Sequence, residues 1–246
     1  MSRWMITVAM LIGSAILSHW IPFSSFFRNL DTMVHELGHA ATTLLLSGKV
    51  LYIQLFADHS GVTYSYISAG WRLIPVSMSG YVTASLFSVY LFYCYSRGRI
   101  GQGLFVCTLL AGIALALFVR NGFGVAWLAG YMVVNAVVML VPIRWLQHGY
   151  FLLIAFVSLE ESVVGPLGLL LMSVNRPGAA GDATGLASVT GVPAPVWAIV
   201  FLIVSLLCAR SAIGYFLGRG RSGGRRGSGS GDGSGRVGRL GTGMRG

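Results

Sequence analysis

The sequence predicts an α-helical polytopic membrane protein with about six to eight transmembrane segments and a small β-hairpin after the helix that carries an HExxH motif. Three observations predict it. Hydrophobic residues make up 55% of the 246-residue chain and charged residues 10%, where a soluble domain carries about 25% charged. Apolar runs near the length of a spanning helix, about 20 residues, recur along the chain. One stretch, VLYIQLFADHSGVTYSYIS at 50–68, is rich in β-branched and aromatic residues and broken by Asp58-His59-Ser60-Gly61, which reads as two strands and a short loop.

The elements follow in order. Residues 4–22 form an apolar run after Arg3; no small-residue cleavage site follows, so it reads as a retained first helix rather than a signal peptide. Residues 30–47 are a second run, and the hairpin comes next. Bare hydrocarbon would leave the hairpin's edges unsatisfied, so it belongs at the interface or packed on helices. Further runs lie at about 74–95, 102–119, 124–142, 147–174 and 194–217. The 147–174 run contains Glu160, Glu161, Gly165 and Pro166, which predicts a broken helix or a helical hairpin. Residues 175–193, NRPGAAGDATGLASVTGVP, are small and turn-rich yet lie between two apolar segments.

Two parts result: an integral membrane unit over 1–217 and a Gly/Arg-rich tail over 218–246 that cannot build a core and is expected to be disordered. Seven arginines of the net charge of +10 fall in that tail, opposed there by Asp232. Such a charge block suggests a cytoplasmic C-terminus. Arg3 suggests the same side for the N-terminus, which requires an even number of crossings. The tail has no aromatic residue after Phe216 to stack on a base, so a solvated segment held to anionic headgroups is preferred over a nucleic-acid binder. Cys94, Cys107 and Cys208 sit inside apolar runs without CxxC spacing and read as small buried hydrophobes.

The second run raises a chemical question, because His35, Glu36 and His39 are set into it as HELGH. On a helix, residues i and i+4 point the same way, so two imidazoles reach one Zn²⁺ while the glutamate approaches the metal-bound water. Val34, Leu37, Ala40, Ala41, Leu44 and Leu45 support the helix, and Asp31 or Thr32 stands where a cap for its start is expected. Ionisable groups inside a membrane cost about 2.5–3.5 kcal/mol each on insertion scales, and a bound metal compensates three clustered ones. A catalytic zinc takes a third protein ligand. The candidates are Asp182, Glu160, Glu161, His148, Asp58 and His59. Glu160 and Glu161 sit late in a membrane run, His148 follows Arg144 and Gln147 in what looks like an interfacial loop, and Asp58 and His59 fit turn chemistry. Asp182, on a small-residue stretch where backbones pack closely, is the choice.

These residues resemble a family. HELGHA at 35–40, a D-x-x-G-x-T pattern at Asp58, Gly61 and Thr63, and a later GDA…TG-P…W pattern at Gly181-Asp182-Ala183, Thr190-Gly191, Pro193 and Trp197 resemble the site-2 proteases. These are intramembrane zinc metalloproteases, and the closest likeness is to their small "peptidase M-fifty, B-like" branch. The likeness covers roughly residues 30 to 200. It implies that His35, His39 and Asp182 ligate zinc, that Glu36 is the catalytic base, and that the substrates are membrane proteins. It also implies a multi-pass protein of a bacterial cell membrane. One departure stands out. Site-2 proteases place the ligand aspartate in an N-x-x-P-x-P-x-x-D-G segment; here Asn175 and Pro177 precede Asp182, but the second proline is missing and Ala183 replaces the glycine.

The expected chemistry is peptide hydrolysis at or near the membrane, with Glu36 passing a proton from water to the leaving amine. Ser77, Ser79, Gly80 and Tyr81 are candidates to line a polar cavity around the metal. The hairpin's free edge, with strand residues 51–55 in view, is a candidate to hold an unwound substrate by strand addition. The alternative is a non-catalytic, metal-stabilised scaffold or partner-binding protein of the same fold.

Overall fold

The computed structural model describes residues 3–20, 24–68 and 70–225. Eight helices and one hairpin make up the chain among these residues. The order is α1 (Arg3–Trp20), α2 (Ser24–Leu45), β1 (Lys49–Leu55), β2 (Gly61–Tyr66), α3 (Leu73–Ser96), α4 (Ile100–Ile113), α5 (Gly122–Leu140), α6 (Arg144–Asn175), α7 (Gly181–Thr190) and α8 (Ala194–Arg225). A π-helical turn, Ala114–Phe118, extends α4, and a 3₁₀ turn, Pro177–Ala179, precedes α7. Of the tail expected from residue 218 onward, 226–246 lie outside the described residues.

Among the described residues, five helices are long and apolar enough to cross a membrane: α3, α4 with its π turn, α5, α6 and α8. Large apolar side chains such as Leu86, Phe105, Val133 and Ile203 point outward from them, as suits a lipid solvent. The chain is a polytopic helical membrane protein. α2 has the length but carries Arg28, Asp31, His35, Glu36 and His39, and it is enclosed by α3, α6 and the hairpin. It starts at Ser24 rather than near residue 30, so Asp31 and Thr32 lie inside the helix and cap nothing.

α3 is the central helix, packed against α2, α6, α7 and α8. Its small residues make that possible. Gly38 of α2 sits so close to α3 that a Cβ there would lie 2.8 Å from Thr83 Oγ1 and 2.9 Å from the Ser79 carbonyl. Close backbone approach through small residues is how helices pack where no hydrophobic force drives them together. The buried Ser85 and Ser205 hydroxyls pair at 2.9 Å and tie α3 to α8.

The broken helix or hairpin expected over 147–174 is corrected: α6 runs unbroken for 32 residues with the buried Pro166 inside it. Proline removes one backbone bond, a local cost that packing against α2, α3 and α8 outweighs. At about 1.5 Å per residue, α6 is longer than the hydrocarbon core is thick.

The hairpin forms as expected, with β1 and β2 antiparallel and a register running from Lys49 opposite Tyr66 to Leu55 opposite Gly61. Asp58 Oδ1 accepts from the Ser60 backbone N–H (3.1 Å) and hydroxyl (2.6 Å), and His59 takes φ +66°. The Ser60 bonds hold the exposed Asp58 carboxyl below its ordinary pKa. The outer edge of β1 is occupied. Val119 bridges Ile53, Arg120 N–H donates to the Ile53 carbonyl, and the Asn121 amide meets both backbone groups of Leu55 at 2.6 and 3.1 Å. Among the described residues no strand pairs with the outer edge of β2, and it is the edge of β1 that is covered, contrary to the expectation that 51–55 would meet a substrate strand.

Candidate metal centre

His35 and His39 stand one turn apart on α2, with Nε2 atoms 3.0 Å from each other. Asp182 Oδ2, from the first turn of α7, lies 3.3 Å from both. A tetrahedral ion with ligands at about 2.0–2.2 Å holds neighbouring donors roughly 3.3–3.6 Å apart; both nitrogen–carboxylate separations match that, and the nitrogens, at 3.0 Å, need to part by a few tenths of an ångström to hold Zn²⁺. Among the described residues, these three form the group of His, Cys, Asp and Glu side chains that could hold a metal ion.

Neighbouring groups fix the donors. His39 Nδ1–H donates to the Val76 carbonyl at 2.7 Å; a carbonyl only accepts, so Nε2, which faces His35 and Asp182, is the nitrogen available to a metal. That is the orienting bond metal-ligating histidines ordinarily make. Ser79 Oγ donates to the same carbonyl at 2.6 Å. The Tyr81 ring meets His35 edge-on, 4.5 Å between centroids, and is backed by Phe201 of α8. Gly80 closes one side, since a Cβ on it would lie 2.5 Å from His35 Nε2 and 2.6 Å from His39 Nε2. Ser79, Gly80 and Tyr81 therefore surround the histidines, and Ser77 Oγ meets the neighbouring helix at Gly185.

α7 presents Asp182. Ala180, Ala183 and Leu186 bury its inner face against Leu169, Ala198 and Phe201. Its far end is pinned by the pattern that closed the resemblance. Thr190 Oγ1 accepts from Trp197 Nε1 (3.1 Å) and the Val192 N–H, and Gly191 takes φ +74°, the left-handed turn that ends many helices. The aspartate lies in a helix's first turn, where the dipole favours a carboxylate.

Glu36 is buried and held from the hairpin. Its Oε2 accepts from Thr63 Oγ1 at 2.6 Å, and Gly61 lies so close that a Cβ would sit 2.8 Å from Glu36 Cγ and Oε1. Thr32 Oγ1 donates to the His59 carbonyl at 2.8 Å, docking the hairpin turn on α2. Thr63 was visible in the D-x-x-G-x-T pattern without a role; the Val76 carbonyl, being backbone, leaves no sequence signal.

The other candidate ligands are elsewhere. Glu160 and Glu161 pair with Arg28 at 3.5 and 3.0 Å. His148 bonds the Arg144 carbonyl at the start of α6. Asp58 is engaged in its own turn. His59 contributes its carbonyl to Thr32, and burial, aided by Arg28, depresses its imidazole pKa.

The comparisons agree with this architecture. No curated protein and no solved structure matches the chain. The model of the family described as Peptidase M50B-like matches residues 4–212, which span the HExxH helix, the hairpin and the Asp182 segment. The chain belongs to the Peptidase M50B-like family.

Proposed function

We propose that the protein is a zinc-dependent intramembrane endopeptidase that cleaves membrane-protein substrates in the cell membrane of a bacterium. His35, His39 and Asp182 hold the zinc in this reading, and Glu36 is the general base. The observation that carries it is the convergence of two imidazole nitrogens and one carboxylate oxygen within 4.8 Å of one another, under a glycine that leaves room for an ion. Zinc bound there supplies Lewis acidity toward a peptide carbonyl and lowers the pKa of water.

The chain's own groups do the rest. Glu36 takes a proton from the attacking water and returns it to the leaving amine. His39 keeps its donor nitrogen aimed by the Nδ1–H bond to Val76. Transmembrane helices have satisfied backbones and resist attack, so a substrate must unwind locally. The outer edge of β2, whose strand reaches Glu36 through Thr63, is where an extended segment would pair.

The test is cleavage of single-pass membrane proteins by the purified protein in liposomes. Expected is cleavage by the wild type and its loss in Glu36→Gln with zinc retained. Zinc without cleavage of any substrate would favour the metal-stabilised scaffold. Equal cleavage by Glu36→Gln would remove Glu36 from the reaction.

A further inference from the structure

We propose that Thr63 is a positioning residue for Glu36, so that the β-hairpin sets the geometry of the general base as well as bordering the site. This rests on the assignment of Glu36 as base. Thr63 Oγ1 lies 2.6 Å from Glu36 Oε2 and 3.1 Å from the Glu36 carbonyl. A hydroxyl carries one proton, and the shorter contact to the carboxylate takes it. That bond, with Gly61 packed against Oε1, fixes the rotation of the carboxylate.

The donor is itself held in place. Thr63 pairs with Ile53 across the sheet, and Ile53 is fully buried and bridged to Val119 on the far edge of β1. The Asn121 amide grips Leu55 two residues on. On the α2 side, Thr32 bonds the His59 carbonyl and Gly61 lies against the Glu36 side chain. The hydroxyl is therefore fixed relative to α2 by contacts on both sides of the hairpin. β-branching adds to this by restricting χ1 of Thr63.

The experiment compares wild type, Thr63→Val, which keeps shape and removes the hydroxyl, and Thr63→Ser, which restores it. Thr63→Val should lower kcat roughly 10- to 100-fold, the scale of a misplaced catalytic group, with KM and zinc content unchanged. Thr63→Ser should recover most of that loss. A second readout needs no substrate. In detergent, Thr63→Val should lower Tm by about 2–4 °C, and that drop should shrink in a Glu36→Ala background, where the backbone carbonyl at 3.1 Å is the acceptor that remains. The proposal is overturned if Thr63→Val keeps wild-type kcat, if Thr63→Ser is as slow as Thr63→Val, or if the Tm drop is the same with and without Glu36. Should the wild type cleave nothing, the protease reading fails and the Tm comparison alone decides the role of Thr63.

Discussion

A methyl group added at Gly80 would sit within 2.6 Å of the facing nitrogens of both His35 and His39, closer than non-bonded atoms approach. Gly80→Ala should therefore push the imidazoles aside and strip zinc from the protein although no ligand residue is changed, as metal analysis would reveal. Gly112→Ala is the control: its new Cβ meets Met132 at 3.6 Å, ordinary contact, and should leave zinc untouched. At this scale the candidate site was partly legible. His35, Glu36 and His39 declare themselves by spacing, and Asp182 by its small-residue setting and the scarcity of rival acids. Gly80 was named as a cavity residue, but its role as the roof over the imidazoles depends on how closely α3 approaches α2. Distances between helices are not written in either segment alone.

The hairpin is the element on which the two halves of the site meet. Asn121 stands in for a third strand by satisfying both the N–H and the C=O of Leu55, a residue with no solvent exposure. Asn121→Ala should cost about 1–3 kcal/mol, the range for buried groups left unpaired. It should also speed hydrogen exchange at Leu55, with zinc content preserved. The hairpin itself was readable, because alternation of β-branched and aromatic residues around a turn is a local signal. Which of its edges is open was not, since the segment that covers β1 comes from residues 119–121, more than sixty positions away. α6 teaches the reverse lesson. Pro166 and two glutamates argue locally for a break, yet Pro166 is buried among packed helices and Glu160 and Glu161 share the Arg28 guanidinium, so tertiary contacts override the local rule.

Across the whole molecule, that arginine joins the HExxH helix to the longest span. Arg28 side-chain nitrogens reach Glu160, whose side chain is 7% exposed, and Glu161, at 17%. Arg28→Met should destabilise the fold by about 3 kcal/mol, the lower end for a broken buried pair because Arg28 itself is partly solvated. Thermal unfolding in detergent measures it. Adding Glu160→Gln and Glu161→Gln to that variant should restore part of the loss, and neither carboxylate change should alter zinc content. The polytopic helical class was legible from composition and run length. The burial of α2 was not, because its polar residues make it the least membrane-like of the long helices, and it takes the surrounding apolar spans to give it shelter.

The central claim is that His35, His39 and Asp182 form one zinc site with Glu36 beside it but outside the ligand set. Metal analysis of the detergent-purified protein by mass spectrometry tests it most directly, run on the wild type, Glu36→Gln, His39→Ala and Asp182→Ala. About one zinc per chain is expected in the wild type and in Glu36→Gln, and its loss in the other two. Zinc retained at the wild-type level in Asp182→Ala, or no zinc in the wild type even after resupply, would contradict it.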